Sequence, residues 1–435
     1  MEFNEVNFDL VRDYLSSHPI RRWKNLRKLV NLDEIHTTSE NRYDLLEPWI
    51  QWASVHTGKS ANEHQVYRLG DIQQYEGKQI FEYLEESDIK VGCISVMNAE
   101  NRLQNPSYFI PDPWTVTQTD GSFFSEKIYH ALHQSVNDNS SGKLTKKTIF
   151  YLLVSLIAKT NIRNWPLYIN LALKAARGQK WCKALFLDLF ISDLHINLYK
   201  SKKPNFTSVF FNAFAHIQHH YFFNSQYYKG SQHNPDWYIR RARDPFLDAL
   251  DVYDRILKDH FTTFEKGELV TTTGLRQVPY DQTKYYYRLL DHKTFLEKVG
   301  VDNFVVHPRM TRDFLIEFHS VKDCENAKYL LQNLSINGKN IFEEIEDRES
   351  SLFVTLTYPK FISDFDQIET SKDLNLKAID HVVFVAIKNG MHDSKGYCFT
   401  TAPNNDFKNM DRNHVKSLFS YFQKRLLSNE DCSIN

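Results

Sequence analysis

Three histidines stand together in the segment His216-Ile-Gln-His219-His220, directly after an apolar run from Phe206 to Ala215 that predicts a buried strand. His216 and His220 are four residues apart, so one helical turn would place both imidazoles on the same side, as metal chelation requires. Ligands gather at the carboxyl ends of strands in open α/β sheets. Such a spacing also occurs by chance, and histidines hydrogen-bonded among aromatic residues are the alternative interpretation.

A later histidine could join this group. His392, in Gly390-Met391-His392, follows another predicted strand from His381 to Ile387 and precedes Gly396-Tyr397-Cys398. A histidine at a strand end beside flexible glycines can reach a crevice of the sheet, although a turn histidine without a role would look the same.

Acidic and amide side chains form a third candidate segment. Glu47 and Gln51 lie among tryptophans in a stretch that ends in Thr57-Gly58 and continues to Glu63-His64. Polar groups beside Trp49 and Trp52 are unusual for a plain loop, but both tryptophans equally fit a buried core.

The surrounding pattern predicts the sheet that must position these residues. Helical and apolar strand patterns alternate along the chain, which favours a doubly wound, largely parallel α/β sheet with helices on both faces. The supporting segments are Glu76 to Glu86 and Pro245 to Phe261 as helices and Lys90 to Met97, Phe206 to Ala215 and Leu269 to Thr273 as strands. Residues from about 123 to 199 are mostly helical in pattern and predict a helical cover.

A change of pattern indicates an inserted subdomain. Between Val301 and Pro359, a strand pattern (Phe314 to Phe318), a helical pattern (Lys322 to Leu334) and a hairpin pattern (Ile341 to Tyr358) follow one another. We therefore predict a small α+β insertion at 301–359, and an α/β core at 1–300 and 360–435 that ends in a helix from Val415 to Leu427.

These segments together resemble the alkaline-phosphatase superfamily. The stretch before Thr57-Gly58 is similar to the part of sulfatases and nucleotide pyrophosphatase/phosphodiesterases in which the nucleophile lies nine residues before a Thr-Gly pair. His216-x-x-x-His220 resembles that superfamily's Asp-x-x-x-His metal motif, and His392 resembles its late metal histidine. All three segments fall in the superfamily's chain order.

The resemblance also has clear departures. Nine residues before Thr57 stands Pro48, which cannot act as a nucleophile. The superfamily's Asp-His pair aligns with Thr273-Gly274, and its early metal aspartate falls near Asn4 or Glu5. The resemblance therefore implies that the nucleophile and most of the second metal site are lost.

What remains is a coherent single-metal hypothesis. His216, His220 and His392 would hold one divalent ion, zinc in the first place, and leave an open position for water, whose pKa can fall to about 7. Glu47 is the best candidate for a general base or a partner of a ligand, and Gln51 is a second candidate catalytic residue. Arg276 and Gln277 would hold an anionic group of the substrate.

Three functional interpretations follow. The first is a metal-dependent hydrolase or group-transfer enzyme for a phospho-, sulfo- or related ester, with a small-molecule or glycan-type substrate such as a glycan or glycolipid precursor and with weak or no phosphomonoesterase turnover. The second is a catalytically inactive binding or assembly protein of the same fold. The third treats the histidines as ordinary polar residues, which then would not converge.

Composition excludes several other classes. Lys plus Arg number 53 and Asp plus Glu 54, so no overall charge favours nucleic acid or a membrane surface. The start of the chain lacks a signal-peptide pattern and no apolar run has the length of a membrane span. The five cysteines contain no CxxC pair, which suits reduced thiols and a cytoplasmic protein.

Overall fold

A computed structural model gives the structure of residues 1–137, 146–308, 312–370 and 376–427. The chain forms two compact units. The first consists of Met1–Lys229, Arg241–Pro279 and Gly390–Asn435, and the second of Gly230–Arg240 and Tyr280–Asn389. The insertion predicted for 301–359 lies inside the second unit, and the predicted domain boundaries stay a prediction.

The α-helices of the described residues are, in chain order, α1 (Phe8–Ser17), α2 (Lys24–Val30), α3 (Pro48–Thr57), α4 (Ala61–His64), α5 (Ile80–Glu86), α6 (Phe123–Asn137), α7 (Lys146–Lys159), α8 (Trp165–Ala176), α9 (Trp181–Lys202), α10 (Ala213–Tyr221), α11 (Pro245–Thr263), α12 (His292–Val299), α13 (Val321–Gln332), α14 (Asn405–Lys408) and α15 (Ser417–Leu427).

The strands of the same residues are β1 (Glu2–Phe3), β2 (Asp33–Thr38), β3 (Val91–Ile94), β4 (Tyr108–Ile110), β5 (Phe206–Phe211), β6 (Val270–Thr272), β7 (Arg276–Leu289), β8 (Phe304–Pro308), β9 (Asp313–Phe318), β10 (Ser335–Ile336), β11 (Lys339–Asn340), β12 (Glu344–Arg348), β13 (Ser351–Thr355), β14 (Gln367–Ile368), β15 (Leu376–Lys377), β16 (Val382–Asp393) and β17 (Lys395–Thr400).

The first unit is built on a seven-stranded sheet in the order β2-β17-β6-β1-β5-β3-β4. The strands from β6 to β4 are parallel to their neighbours, whereas β17 runs antiparallel to both β6 and β2. The predicted class, an α/β fold with a largely parallel sheet, is therefore confirmed. The helical pattern predicted for 123–199 is also present as α6 to α9 in the described residues.

The strand predicted from Phe206 to Ala215 is shorter than expected. It ends at Phe211, and α10 begins at Ala213, so the predicted end of this strand was wrong. The buried Asp188 carboxylate accepts hydrogen bonds from the backbone N–H groups of Asn212 (3.2 Å) and Ala213 (2.8 Å) and so satisfies donors at the start of the helix. The apolar residues after the strand form the buried face of α10.

The second unit has its own sheets and core. The strands β12, β13, β9 and β8 form an antiparallel sheet in that order, which includes the predicted hairpin. Buried residues of α12, α13 and this sheet pack into one hydrophobic cluster, among them Phe295, Phe314, Leu331 and Leu352. The strand predicted from His381 to Ile387 is present as β16, which pairs with β7.

The described part of the chain contains four of the five cysteines. Cys93, Cys182, Cys324 and Cys398 are buried and free, and Cys432 lies outside the described residues. Within the described residues, no helix combines the length and the apolar character needed to cross a membrane.

Asp188 should make stability depend on pH. Burial raises the pKa of Asp188 to about 6, although Tyr253, Ala213 and Asn212 donate hydrogen bonds to it. Its contribution to folding is therefore complete below the unfolded pKa of about 3.9 and is lost as pH rises through about 6. The free energy of unfolding of Asp188→Asn and of wild type is measured in urea at pH 4.5 and at pH 7.5. Between these two pH values, the difference between the proteins should shift by about 2 kcal/mol in favour of the variant. A pH-independent difference would contradict this assignment.

Candidate active site

Glu5 lies at the carboxyl end of the central strand β1. The chain continues the sheet pattern after β1, because Asn4 N–H donates to the Phe211 carbonyl (3.0 Å) and Glu5 N–H to the Thr273 carbonyl (3.1 Å). Glu5 is buried and has a φ of 57°, in the left-handed region that non-glycine residues rarely adopt. Strained residues of this kind persist only when their surroundings hold them, and they concentrate at functional sites.

Two buried glutamines hold the Glu5 backbone. The Gln218 side chain of α10 donates from Nε2 to the Glu5 carbonyl (2.7 Å) and accepts the Asn7 N–H at Oε1 (3.0 Å). The backbone N–H of Gln277 donates to the same Glu5 carbonyl (3.2 Å). Both side chains are fully buried, so the chain reversal at Glu5 is fixed without solvent.

Replacing Gln218 by methionine should therefore destabilise the protein. Methionine has a similar shape but leaves the buried Asn7 N–H without its side-chain acceptor and removes one donor from the Glu5 carbonyl. We expect a loss of about 1–3 kcal/mol in the free energy of unfolding, measured by urea denaturation. A change below about 0.5 kcal/mol would show that Gln218 does not hold this turn.

Two histidines and an amide converge on one oxygen of Glu5. His219 Nε2 lies 3.0 Å from Glu5 Oε2, and His392 Nε2 lies 3.2 Å from the same atom. Gln277 Nε2 also donates to this oxygen. The other oxygen, Oε1, accepts from Asn4 Nδ2 (2.9 Å). Glu5 is thus the centre of a compact polar group.

The histidines keep Glu5 ionised. Burial alone raises the pKa of the Glu5 carboxyl, but the charges of His219 and His392, and hydrogen bonds to both, outweigh burial and hold this pKa well below its ordinary value. A buried carboxylate with two imidazoles beside one of its oxygens brings three possible ligand atoms close together.

The donor set fits a divalent metal. In the described residues, Glu5, His219 and His392 can each offer one ligand atom, and these atoms all lie within 4.8 Å of one another. Zinc bonds to imidazole nitrogen and carboxylate oxygen at about 2.0–2.2 Å, so neighbouring donors of a tetrahedral ion are roughly 3.3 Å apart. The observed 3.0 and 3.2 Å separations need only small adjustments to receive an ion.

Glu47 stands at the opposite side of the His392 ring. Its Oε2 lies 3.7 Å from His392 Nδ1, while Nε2 of the same ring faces Glu5. Glu47 immediately precedes α3, and its side chain retains about a third of its exposed surface (34%). His219 is similarly accessible at 32%, so one side of the group is open to solvent.

The predicted histidine pair lies on the same helix as His219 but is not part of the three-residue group. His216 and His220 are on α10 with ring centroids 4.6 Å apart, so the predicted helical turn brings them together. The ring beside His392 is that of His219, at a centroid distance of 5.2 Å. Burial, and next the charge of His219, lower the pKa of His216 to about 4. The structure therefore places only His392, of the three predicted ligands, in the Glu5 group.

The other predicted site residues occupy different positions. Gln277 lies in the group, where its amide is directed at Glu5 Oε2 and the Ala215 carbonyl (3.2 Å). Arg276 is held by Asp9 (2.7 Å) and Asp393 (2.8 Å). Gln51 is fully buried and donates to the Leu45 carbonyl (2.8 Å).

The segment before Thr57-Gly58 gives the site its α3 helix. Gly58, with a φ of 71°, caps the carboxyl end of α3, and its N–H donates to the Ser54 carbonyl. In the middle of α3, Trp52 Nε1 donates to Asn4 Oδ1 (2.9 Å), and Asn4 in turn donates to Glu5. The helix thus connects the Glu47 end of the site with the Glu5 carboxylate.

Two members of the group were not selected from the sequence. His219 lies between His216 and His220 in the histidine segment. Glu5 is the acidic residue near which the resemblance places an early metal ligand. Both signals were therefore present, but the four-residue spacing favoured His216 and His220 over His219. Spacing alone does not fix which face of a helix meets the strand ends.

Comparisons with known proteins find similar solved structures. No family model matches the sequence, and no curated protein matches it. Comparison of structures finds a phosphonoacetate hydrolase from Sinorhizobium meliloti 1021 in complex with phosphonoformate (10% identity, 98% of this chain and 94% of that chain, TM-score 0.40). It also finds murine ectonucleotide pyrophosphatase/phosphodiesterase 5 (10%, 98% and 94%, TM-score 0.41) and a TAB5 alkaline phosphatase mutant with magnesium bound (10%, 98% and 96%, TM-score 0.38).

The three proteins named are a phosphonoacetate hydrolase, a nucleotide pyrophosphatase/phosphodiesterase and an alkaline phosphatase, each 10% identical to this chain. Similarities with TM-scores below 0.5 do not by themselves assign an activity to this chain. The chemistry of the Glu5 group therefore has to be inferred from its own geometry.

Proposed function

We propose that this protein is a metal-dependent hydrolase or group-transfer enzyme that acts on a phospho-, sulfo- or related ester and uses one divalent ion, zinc in the first place. The observation that carries the proposal is the convergence of His219 and His392 on Glu5 Oε2, at 3.0 and 3.2 Å. The ester class comes from the resemblance of the sequence, and the metal chemistry comes from the donor set.

Glu5, His219 and His392 would hold the ion. One carboxylate and two neutral imidazoles form a ligand set found in catalytic zinc sites, and they leave a position for water or substrate. When bound, zinc supplies a Lewis acid and a water of lowered pKa. The ligand set predicted from the sequence consists of His216, His220 and His392 and stays a prediction. Replacing the histidines of each set one at a time shows which set holds the ion.

The remaining side chains would orient the ligands and move a proton. Asn4 and Gln277 fix the Glu5 carboxylate through hydrogen bonds to its two oxygens. Glu47 faces His392 Nδ1 and, being partly exposed, can also accept a proton from a water at the open side of the group. The substrate proposed here is a small or glycan-type anionic ester.

Glu47→Gln should separate these two roles of Glu47. If Glu47 is a general base, kcat should fall roughly 100-fold or more at saturating zinc, with the zinc affinity little changed. If Glu47 only orients His392, zinc binding should weaken about 10- to 100-fold and kcat should recover with added metal. Glu76→Gln, an exposed carboxylate on the same unit, is the matched control and should change neither quantity.

The activity itself can be tested with three esters. Wild-type protein loaded with zinc or manganese is incubated with p-nitrophenyl phosphate, bis(p-nitrophenyl) phosphate and p-nitrophenyl sulfate, and His392→Ala serves as the inactive reference. We expect metal-dependent release from the diester or the sulfate and little from the monoester, since Pro48 stands at the resemblance's nucleophile position. Fast monoester turnover would contradict the proposed single-metal site.

A non-catalytic function is the second candidate, and Pro48 is the observation that favours it. A protein that binds metal tightly but releases no product from any ester, with any metal tested, would be a binding or assembly protein.

The free, buried cysteines of the described chain fit the reducing cytoplasm, which we propose as the location of this protein.

A further inference from the structure

Aromatic side chains of the second unit line a concavity. Its volume is about 310 Å³, and its walls include Trp237, Tyr287, Phe361 and Phe384. Trp237 and Phe361 leave 56% and 54% of their surfaces exposed, which is unusual for such large rings. Exposed aromatic surface gathered in one concave place marks a binding site more often than a random surface does.

The walls are held in place by contacts within the unit. Trp237 stacks on Tyr285 with ring planes 21° apart and meets Phe384 edge to face at a centroid distance of 5.1 Å. The Ile362 N–H donates to the Tyr287 hydroxyl (2.9 Å), which fixes the chain beside Phe361. The concavity is therefore formed before any ligand arrives.

A tight turn presents the rim of the concavity. Asp366 accepts hydrogen bonds from the Ser363 N–H (2.7 Å) and hydroxyl (2.9 Å), and Asn337 donates to its other oxygen (2.8 Å). Within this turn Asp364 and Phe365 are exposed, Phe365 at 91%. Among the described residues, Asp364 forms no ion pair, so its carboxylate is available to a ligand.

The charges of the lining select the kind of ligand. Among the residues that the structure describes, no lysine, arginine or histidine lines the concavity, and Asp364 supplies its single carboxylate. Aromatic ring faces attract cations, most strongly tryptophan, and a neighbouring carboxylate adds to this attraction. An anion would find no partner here, and a purely apolar ligand would make no use of Asp364.

We propose that this concavity binds an alkylated ammonium group, with Trp237 and Phe361 as ring walls and Asp364 as the counter-charge. The inference is independent of the metal site and of the proposed hydrolase function. It concerns a head group small enough for a volume of about 310 Å³, such as a quaternary ammonium.

Choline and its uncharged isostere 3,3-dimethyl-1-butanol test the proposal by isothermal titration calorimetry on the full chain. We expect choline to bind and the neutral alcohol to bind at least about 5-fold more weakly. Trp237→Leu and Asp364→Asn should each weaken choline binding by about 5- to 30-fold. Tyr329→Leu, which alters an aromatic residue exposed at 65% on α13 outside the concavity, is the control.

Three results would overturn the proposal. Equal binding of choline and the neutral alcohol would show that the concavity recognises apolar shape alone. No binding of choline, or equal losses in Tyr329→Leu and Trp237→Leu, would remove the site. Asp364 is exposed, so Asp364→Asn leaves the fold intact even if the tryptophan variant does not.

Discussion

Alanine in place of His219 is expected to lower the zinc content of the protein from about one ion per chain to near zero. His219 supplies one of three ligand atoms, and the loss of a partner that merely supports a ligand already weakens metal binding about 10- to 100-fold. Loss of the ligand itself should cost at least about 100-fold. The measurement is inductively coupled plasma mass spectrometry after dialysis against zinc, followed by competition with a chelator to obtain the dissociation constant.

The matched controls are His216→Ala and His220→Ala on the same helix. They should retain the ion, because neither side chain belongs to the group formed by Glu5, His219 and His392, whereas His392→Ala should lose it under either ligand set. The opposite pattern, with zinc lost in His216→Ala and His220→Ala but kept in His219→Ala, would establish the ligand set predicted from the sequence. Retention of zinc in all four variants would exclude both sets.

Proton competition gives a second measure of the same site. The pKa of the Glu5 carboxyl is held below its ordinary value, so acidification toward pH 5 adds no proton to it. Zinc must instead compete with protons at the imidazoles, so its affinity should fall as the solution becomes acidic. Glu5→Gln removes a charged ligand and should weaken zinc binding across this whole pH range.

Much of the fold could be predicted from hydrophobic periodicity. The helical pattern beginning at Pro245 is present as α11, since this helix buries one apolar face and starts at a polar cap. The strands β3, β5 and β6 could be recognised as short apolar runs. A local hydrophobic pattern predicts an element correctly where the burial of one face decides whether the segment forms a helix or a strand.

The end of β5 could not be read in this way. Ala213, Phe214 and Ala215 are apolar enough to continue a strand, but they are buried equally well on the inner face of α10. The Asp188 carboxylate, which comes from α9 in the preceding helical cover, decides between the two states by satisfying the first backbone donors. A contact across 24 residues of sequence is invisible to a local pattern.

Spacing alone does not decide between the two possible ligand sets, for a related reason. The three histidines His216, His219 and His220 lie within little more than one turn of α10. Which of them faces Glu5 depends on how the helix is rotated about its own axis. That rotation is set by buried Ile217 and Gln218, and Gln218 is fixed by the left-handed turn at Glu5. Arg276 shows the same limit, because its partners Asp9 and Asp393 are distant in sequence.

Alanine at Gly390 is expected to destabilise the protein by about 1–3 kcal/mol and to disturb the Glu5 group at the same time. A Cβ atom at this position would lie 2.1 Å from Gln277 Oε1 and 2.8 Å from the Gln218 backbone carbonyl. The Gln277 side chain is fully buried and donates to Glu5 Oε2, so it cannot withdraw from the new methyl group without releasing the carboxylate. Urea unfolding and the zinc dissociation constant are measured on the same variant.

Gly267→Ala is the matched control, because its Cβ would meet only the Phe264 carbonyl oxygen, at 3.8 Å. That variant should keep both stability and zinc affinity, or gain slightly in stability through a less flexible unfolded chain. If Gly390→Ala loses stability but binds zinc normally, Gln277 packs beside the site without orienting Glu5. If both quantities fall together, the close approach at Gly390 is part of the metal site, since the same amide that fills the space beside the glycine also holds the carboxylate.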